Sequence, residues 1–326
     1  MKDRKIFLII LASLLLVALV IMFSTIGSVN LGFREILKEI IYKDNEMIRT
    51  VVFKMRLPRN LLAILVGANL AVAGLLLQAV MKNPLADPGI TGVSSGASVG
   101  AIIILLLSPA YTAFLPIIAF LGGGIACILV YMMAWKKGLQ PNRIVLAGVA
   151  VNTILGGVIS FFTTLYSDRI QSAMLWLNGS LATKTWADVE LLVGYSVVGL
   201  VASFFLIRSA NILQLGDEAA VNLGVNIHRA RIIISVVAVF LAATSTAVVG
   251  IVSFVGLIVP HIARMLMGTD HKYTLPFSMV LGSMVLLIAD TLGRTIGGAI
   301  EIPVGVIMAI VGGPFFLYLL RKKGVY

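Results

Sequence analysis

Charged residues are scarce in this chain of 326 residues: they form 12% of the sequence, whereas hydrophobic residues form 60%. A soluble domain carries about 25% charged residues, so the composition excludes an ordinary soluble protein. Several apolar runs exceed the roughly 18 residues that mark a membrane-spanning helix. The alternating pattern of a membrane β-barrel is absent, and backbone groups in lipid must be hydrogen-bonded within their own segment. The sequence therefore predicts an all-α polytopic membrane protein.

Residues that carry chemistry are equally scarce. Cysteine occurs once, as Cys127, so no disulfide can form within the chain, and we expect a small packing residue there. The three histidines are far apart and lack the spacing of a zinc site. No G-x-x-x-x-G-K-[ST] sequence is present, so the chain has no P-loop for ATP. No Ser-His-Asp or Cys-His arrangement stands out. We expect no enzymatic activity, no metal or other cofactor, and no nucleic-acid partner.

The apolar runs predict about ten membrane helices. The first run follows a basic start and imitates a secretory signal, but it is long and no clean A-x-A cleavage site follows, so we expect a retained helix. Pro260 lies within the short eighth run, where we expect a broken or partly re-entrant helix. The runs lie near residues 6–26, 58–81, 93–108, 113–135, 143–166, 188–208, 229–250, 253–268, 274–296 and 303–320.

The placement of Lys and Arg predicts the orientation, because cytoplasmic loops are enriched in these residues. An even number of spans puts both termini on one side of the membrane. Basic residues cluster on that side, at both termini and in the loops near 136–143, 208–231 and 264–272. We therefore place both termini in the cytoplasm. Lys137, Lys322 and Lys323 are among the charges that support this orientation.

One extracytoplasmic loop, residues 27–57, departs from the rule. With the start of the next helix it holds seven basic residues, namely Arg34, Lys38, Lys43, Arg49, Lys54, Arg56 and Arg59. Acidic residues balance the first half, which favours a small surface helix with solvated charges. The stretch from Arg49 to Arg59 contains no acid. Such a basic rim suits an acidic docking partner, because opposite charge speeds encounter and fixes register. We expect this docking role for Arg56 and Arg59.

The stretch from Gln78 to Gly100 leaves one span through a tight polar turn and enters the next span through small residues. Pro84 and Pro88 bracket Asp87 and cannot continue a helix there. Glycines recur every four residues at 92, 96 and 100, a ridge that lets helix backbones approach closely in lipid. Glycines at 122–124, 156–157 and 312–313 predict further close crossings. No P-loop lysine follows the ridge, so helix packing is favoured over phosphate binding.

The cytoplasmic segment 211–228 is moderately polar and able to form a helix. We expect Asp217 to cap a short helix, since acids favour its N-terminal turn, and Gly224 to end it. Leu215, Ala219, Ala220 and Leu223 would lie on or near one face. The segment is either a surface linker or an amphipathic helix that inserts into a groove on a cytoplasmic partner.

Several unusual strings follow one another along the chain. They are RLPR at 56–59, NPLA at 83–86, LAGVAVN at 146–152, LGDEAAVNLG at 215–224, GIVSFVGLIVPHIAR at 250–264, TDHKYTLP at 269–276, LIADTLGR at 287–294 and EIPVGVIMAIVGGPFFLYLL at 301–320. In content and order these strings closely resemble the permeases of ABC importers for ferric siderophores, haem and vitamin B12, the FecCD family. The resemblance covers nearly the whole chain from Arg56 onward.

The resemblance implies a single transmembrane permease domain over residues 1–326, with the ten-helix fold of the vitamin B12 permease. It implies a homodimer with a central path in the bacterial cell (inner) membrane. Two separate ATPase subunits would lie beneath it, and an extracytoplasmic binding protein would deliver the substrate. Ferric siderophores are preferred as substrate over haem and cobalamin only because that class is broad.

The resemblance also implies roles for individual residues. Outer arginines matching Arg56, Arg59 and Arg294 meet glutamates of the binding protein. The family's coupling segment matches 213–224, which includes Leu215, Gly216, Asp217, Glu218, Ala219, Ala220 and Gly224. The fifth and tenth helices would line the path, with Asn152, Thr153, Ser160, Thr163 and Thr164 as wall residues. The turn Gln140, Pro141 and Asn142 falls where the family places a cytoplasmic gate, although its sequence is not well matched there.

Two acids lie near the outer ends of the last two spans. Asp290 stands four residues before Arg294, a spacing that suits an ion pair within one helix. We therefore favour a structural role for Asp290 and Glu301, orienting Arg294, over binding of substrate or protons. An ion-coupled secondary transporter would require an essential charge near the membrane midplane, and no residue is placed there convincingly. A structural scaffold would not explain the 215–224 helix together with the outer arginines.

Overall fold

Helices account for the regular secondary structure of the described residues. The structure, a computed structural model, describes residues 2–27, 31–42, 45–136, 138–297 and 301–321, and within them no strand occurs beyond one isolated bridge between Trp135 and Leu139. Lys43, Lys137, Lys322 and Lys323, which entered the charge analysis, lie outside the described residues. The all-α class predicted from composition is confirmed.

Fifteen α-helices occur in the part of the chain that the structure describes. The first eight are α1 (Lys2–Thr25), α2 (Phe33–Tyr42), α3 (Glu46–Arg49), α4 (Leu57–Met81), α5 (Val93–Ile102), α6 (Leu115–Ala134), α7 (Pro141–Leu165) and α8 (Ile170–Leu177). The others are α9 (Trp186–Phe205), α10 (Ile207–Gln214), α11 (Asp217–Asn222), α12 (Ile227–Val249), α13 (Val255–Met267), α14 (His271–Ile296) and α15 (Val304–Arg321). Short 3₁₀ and π-helical turns join several of them.

Each of the ten predicted spans corresponds to an apolar helix. Seven helices are long and apolar enough to cross a membrane, and the helices at Val93–Leu107, Val255–Met267 and Val304–Tyr318 are shorter. The second span begins earlier than predicted, because a π-helical stretch at Thr50–Arg56 joins α3 to α4 in one helix from Glu46 to Met81. The predicted surface helix before it is α2, which exposes Arg34, Glu35 and Lys38 but buries Glu39, whose carboxylate accepts from the Asn45 amide.

Helix α4 lies at the centre of the fold, in contact with α1, α9, α12, α13 and α14. Its small residues make this position possible, since a Cβ atom at Gly67 would collide with the carbonyl of Gly282 in α14, and one at Gly74 with the backbone of Gly256 in α13. Close backbone approach of this kind is the packing that small residues permit in lipid. Most side chains of α4 are buried.

The glycine ridge packs α5 against α6, as predicted. Gly96 faces the Gly122 carbonyl and Gly100 faces that of Ile118, with no space for a Cβ atom at either position. Of the other glycines that predicted close crossings, some contact a neighbouring element and others do not. Gly312 packs on the ring of Phe254, whereas a Cβ atom added at Gly156, Gly157 or Gly313 would meet no heavy atom of the described chain within 4 Å.

The turn from α4 to α5 is held by its own side chains. Asn83 Oδ1 accepts a hydrogen bond from the Leu85 amide at 2.9 Å, and Asp87 Oδ1 accepts one from the Gly89 amide at 2.8 Å. Pro88 starts a 3₁₀ turn, and Gly92 then takes a φ of 84° that favours glycine. Burial raises the pKa of the Asp87 carboxyl, opposed by the Gly89 bond. The predicted tight turn is confirmed.

The irregular backbone expected at Pro260 lies elsewhere. Helix α13 continues through Pro260, and the chain is instead unwound over residues 250–254, just before this helix. Phe254 there has a φ of 69°, a left-handed conformation rare for a bulky residue. It leads into α13 while its ring packs on Gly312.

Replacing Gly74 with Ala should destabilise the fold, because the new methyl group meets the Gly256 backbone. We expect a loss of about 1–3 kcal/mol, typical of an overpacked core, measured as a lower midpoint in thermal unfolding of the detergent-solubilised protein. Gly124→Ala is the matched control, since nothing lies within 4 Å of a Cβ atom there. Equal midpoints for the two variants would contradict the packing argument.

Candidate functional site

A buried ion-pair cluster occupies the end of the fold where α4, α14 and the start of α15 meet. Arg59 bonds Asp290 with two nitrogens, Nε to Oδ2 at 2.8 Å and Nη2 to Oδ1 at 3.0 Å, and its Nη1 bonds Glu301 Oε2 at 2.7 Å. Asp290 is almost completely buried, whereas the Glu301 side chain is 42% exposed. Arg59 therefore has three of its five donors engaged by two carboxylates.

The two other arginines bind the end of α1. Arg56 Nη1 donates to the carbonyls of Ser24 at 3.0 Å and Thr25 at 2.9 Å. Arg294 Nη2 donates to the carbonyl of Phe23 at 2.6 Å. The last carbonyls of a helix lack partners within the helix and carry partial negative charge, so cations are favourable there. Both arginines are buried.

These contacts correct two expectations. The ion pair of Asp290 is with Arg59, 231 positions away, and not with Arg294 in its own helix. Tertiary contact overrides the four-residue spacing, because the guanidinium of Arg59 offers a two-bond geometry to the same carboxylate. The stretch from Arg49 to Arg59 contains no acid, but in the folded chain the positive charge of Arg59 is balanced by Asp290 and Glu301.

The arginines of the cluster nevertheless line one cavity, of about 540 Å³. Lys54 and Lys184 line it as well, and Glu301 is the acid in its wall. Lys54 is exposed, and Lys184 lies 3.5 Å from Asp188. Sequence reasoning could have included Lys54, which falls in the acid-free stretch. No sequence signal placed Lys184 beside it. The cavity lining therefore holds five cations and one acid, although Asp290 and Asp188 also pair with Arg59 and Lys184 from outside the lining.

The predicted coupling segment forms α10 and α11. These helices lie near the C-terminal end of α4, opposite to the end that holds Arg59, and near the N-terminal end of α12. Gly216, with a φ of 110°, is the residue before α11, so Asp217 is its first residue and not its cap. Asp217 instead binds Lys82 and the Arg231 guanidinium, whose Nη2 is 2.8 Å from Oδ1. Burial alone would raise the pKa of Asp217, but the Lys82 hydrogen bond and the charge of Arg231 hold that pKa below its usual range.

Arg231 and Asn211 fix the segment to its surroundings. The Arg231 Nη1 atom also donates to the Leu139 carbonyl at 2.8 Å, which joins α11, α12 and the turn before α7 through one side chain. Asn211 in α10 donates to Asp270 at 2.8 Å and accepts from the His271 amide at 2.9 Å. The segment therefore touches the starts of α12 and α14 and the end of α4.

The free surface of the segment is apolar with one acid. Leu215, Val221 and Leu223 are 65%, 60% and 56% exposed, and Glu218 is exposed beside them. Ala220 is buried, and Ala219 is half-buried. The predicted helix end is confirmed, since α11 stops just before Gly224, which has a φ of 75°. Exposed leucines on a short polar segment are a typical contact surface.

Helix α7 carries the predicted path residues, which divide between two sides. Thr153, Gly157, Ser160 and Thr164 follow one another at helical spacing and are exposed. Asn152 instead donates to the Gly89 carbonyl at 3.0 Å and fixes α7 to the turn after α4. Thr163 is half-buried, and its hydroxyl donates to the Ser160 carbonyl within the helix, as does that of exposed Thr164. The exposed stripe, not the whole set, is available to a partner or a path.

The turn Gln140, Pro141 and Asn142 starts α7. Pro141 is its first residue, where a missing amide costs nothing. Gln140 and Asn142 are exposed, and the neighbouring Arg143 donates to the Ala134 carbonyl at 3.1 Å. The turn lies beside α12, because Arg231 of α12 donates to the carbonyl of Leu139, the residue before Gln140.

Comparison with known proteins gives consistent results. Residues 14–322 match the FecCD transport family. The Fe(3+)-citrate import system permease proteins YfmE and YfmD of Bacillus subtilis (strain 168) are 38% and 39% identical, over 98% and 91% of this chain and 96% and 89% of theirs. The Probable heme-iron transport system permease protein IsdF of Staphylococcus aureus (strain Newman) is 36% identical over 99% of this chain and 98% of its own.

Solved structures agree with the sequence comparison. A metal-chelate type ABC transporter in an inward-facing conformation superposes with a TM-score of 0.85 at 28% identity, covering 97% of this chain and 99% of that one. PsaBC from Streptococcus pneumoniae, solved in complex with a Fab, superposes with a TM-score of 0.57 at 17% identity over 90% and 97% of the two chains, a likeness of fold alone.

Replacing Asp290 with Leu should cost about 3–5 kcal/mol of stability, because it leaves the buried Arg59 charge without its main partner. The double variant Arg59→Met with Asp290→Leu should recover most of that loss, since an apolar pair needs no compensation. Thermal unfolding in detergent measures both. The control Asp168→Leu removes an exposed pair with Arg169 and should cost less than about 1 kcal/mol. A double variant no more stable than Asp290→Leu would contradict the role of charge.

Proposed function

The chain belongs to the FecCD transport family, and from this membership we propose that it is the permease subunit of an ABC importer that brings a ferric chelate or haem into a bacterial cell. The observation that carries the proposal is the family match over residues 14–322, supported by near-complete superposition on a metal-chelate type ABC transporter. Its relatives import ferric citrate and heme iron, as their names state. We therefore favour a ferric chelate or haem over cobalamin as the substrate.

Two copies of the chain form the channel in this proposal. The exposed stripe of Thr153, Gly157, Ser160 and Thr164 on α7 supports it, because small residues without neighbours suit a close helix crossing in lipid. On α15, Gly313 has open space and Ile310 is 65% exposed. The faces of α7 and α15 would meet the second copy and line the path, with the turn at Gln140–Asn142 at its cytoplasmic end.

Two ATPase subunits would drive the channel from the cytoplasm. Leu215 and Leu223, which flank α11, and Val221 within it would occupy a groove on each ATPase, the mode of an amphipathic helix in a hydrophobic groove. Asp217 and Arg231 support this role, because they tie α11 to α12 and to the turn that starts α7. Closure of the ATPase pair would then move the start of α7 and open the path.

A substrate-binding protein would dock at the outer cavity through carboxylates. We propose Lys54 and Lys184 as the groups that a carboxylate meets at the cavity, while Arg56 and Arg294 keep the wall positive and Arg59 is neutralised by Asp290 and Glu301. Burial of the three arginines supports this division, whereas Lys54 is exposed and Lys184 would exchange its contact with Asp188 for the incoming carboxylate. Segment 27–57 would thus be extracytoplasmic and 211–228 cytoplasmic, with both termini in the cytoplasm. The whole chain would act as one permease domain.

A secondary transporter is the alternative from another class. It requires an essential charge near the midplane, whereas Asp290 is paired with Arg59 near a helix end. The family and the superposed transporter favour the ABC importer.

Native mass spectrometry of the chain, co-expressed with the ATPase encoded beside it, tests the proposed function. Two copies with two ATPases are expected, and membrane vesicles holding this complex should take up iron-55 citrate or haem when ATP and a loaded binding protein are supplied. Leu215→Ser with Leu223→Ser should abolish ATPase capture, because it removes the apolar contact. The control Asn222→Ala changes an exposed polar residue next to Leu223 and should retain the ATPase. A lone chain with a well-expressed ATPase would refute the proposal.

Replacing Lys54 with Glu should slow association with the binding protein about tenfold at low salt, because a rim charge acts mainly on encounter. The difference should shrink as salt screens the charges. Surface plasmon resonance at low and high salt measures both effects. Lys38→Glu, an equal charge change on exposed α2, is the control. Identical association rates for the two variants would exclude the cavity as the docking site.

A further inference from the structure

A second cavity of about 510 Å³ lies between α6 and α12, apart from the proposed docking cavity. Its lining reaches Leu139, whose carbonyl accepts the hydrogen bond of Arg231 beside the coupling segment. Phe120, Ile128, Met132 and Val236 are among the residues that line it, and its walls are nearly all apolar. Ile128, Met132 and Val236 are 59%, 68% and 61% exposed. The cavity is therefore a groove on the outer surface of the helices, and in a membrane it faces lipid.

Two hydroxyls inside the groove distinguish it from a smooth apolar surface. Ser235 is 3% exposed, and both it and the Tyr131 hydroxyl line the groove. The two hydroxyls interact with each other, and neither has another hydrogen-bond partner in the part of the chain described. Only one hydroxyl of such a pair can donate to the other, so one hydroxyl hydrogen is left without an acceptor. A ligand acceptor at this depth would take that hydrogen bond.

One end of the groove is basic. Arg229 stands one turn before Ile232 on the face that continues through Val236, Val239 and Ala243, so it extends the lining stripe toward the start of α12. Lys136 follows Trp135, whose exposed ring lines the same end. The contact of the Trp135 ring with His228, at 6.5 Å between centroids, brings these two segments together.

Acids are absent from this end. Neither the described α6–α7 turn nor α12 contains Asp or Glu. Neighbouring α11 carries two acids: Asp217 is bound to Lys82 and Arg231, and Glu218 is exposed. The N-terminus of α12 adds positive character, although Asn226 accepts a hydrogen bond from the Arg229 amide. Charge complementarity at the mouth of the groove therefore favours an anion.

The length of the groove fits one leaflet of a bilayer. Its lining on α12 runs from Ile232 to Ala243, which at 1.5 Å per residue is about 17 Å. The hydrocarbon core of a bilayer is about 30 Å thick, so a single leaflet provides about 15 Å of chain. An acyl chain laid along the groove would end near Phe120 and Phe240.

We propose that this groove binds one anionic phospholipid. The phosphate lies at Arg229, Lys136 and the Trp135 indole, the interfacial position that aromatic and basic residues favour. An ester carbonyl accepts a hydrogen bond from Ser235 or Tyr131. One acyl chain fills the apolar part of the groove between α6 and α12.

The test uses the full-length chain in nanodiscs made of equal parts phosphatidylglycerol and phosphatidylcholine. Native mass spectrometry should detect one phosphatidylglycerol held on each chain in preference to phosphatidylcholine. Gly124→Leu should displace it, because the leucine fills the groove at a position where no described residue lies within 4 Å of an added Cβ atom. Gly194→Leu, an equally open and exposed position on α9, is the control and should retain the lipid.

A charge test separates headgroup from chain. Lys136→Gln with Arg229→Gln should weaken phosphatidylglycerol binding about 30-fold, at about fivefold for each charge, and leave phosphatidylcholine unchanged. Arg4→Gln with Arg208→Gln, two exposed cations elsewhere, is the matched control. Equal retention of the two lipids, or retention unaffected by Gly124→Leu, would overturn the proposal. A copurifying protein lost only in Gly124→Leu would overturn it in favour of a partner helix.

Discussion

Close contact of helix backbones along α4 is the constraint on which the fold depends. In lipid there is no hydrophobic force between helices, so association relies on van der Waals contact over surfaces that approach closely. Gly67 and Gly74 let α14 and α13 lie directly on α4, and Gly96 and Gly122 do the same for α5 and α6. The rest of the molecule, including both charged regions, is arranged around these contacts.

Arginines are paired with carboxylates in both charged regions, the one around Arg59 and the one around Asp217. At one end of α4, Arg59 is neutralised by Asp290 and Glu301 inside the protein. At the other end, Lys82 and Arg231 converge on Asp217, whose side chain is half exposed. A buried pair fixes a geometry, because either partner alone is costly. The Lys82–Asp217 pair is partly exposed and screened by water, so it can be rearranged at low cost, whereas the buried Arg231 keeps Asp217 attached to α12. Each region therefore combines a buried arginine with a partner that water can reach.

Local pattern predicted much of this structure. Apolar runs gave the helices, glycine spacing gave the α5–α6 crossing, and Pro84 and Pro88 gave the turn. Partners distant in sequence could not be predicted. Asp290 has a suitable neighbour at Arg294, yet it binds Arg59, and Asp217 looks like a cap until Lys82 and Arg231 reach it. Lys184 joins the outer cavity only through folding. Similarity to a family indicated the roles of such residues but not their contacts.

The attachment of α1 has a consequence for the order of assembly. Its last carbonyls are held by Arg56 and Arg294, and Arg294 follows the Phe23 carbonyl by 271 positions. At about 5–20 residues per second, a ribosome needs about 15–55 s to cover that distance. During synthesis α1 must therefore wait in the bilayer with that part of its end unsatisfied. Arg56 can bind the Ser24 and Thr25 carbonyls much earlier, so α1 is attached to the bundle in two stages, and the second is completed only after α14 has been made.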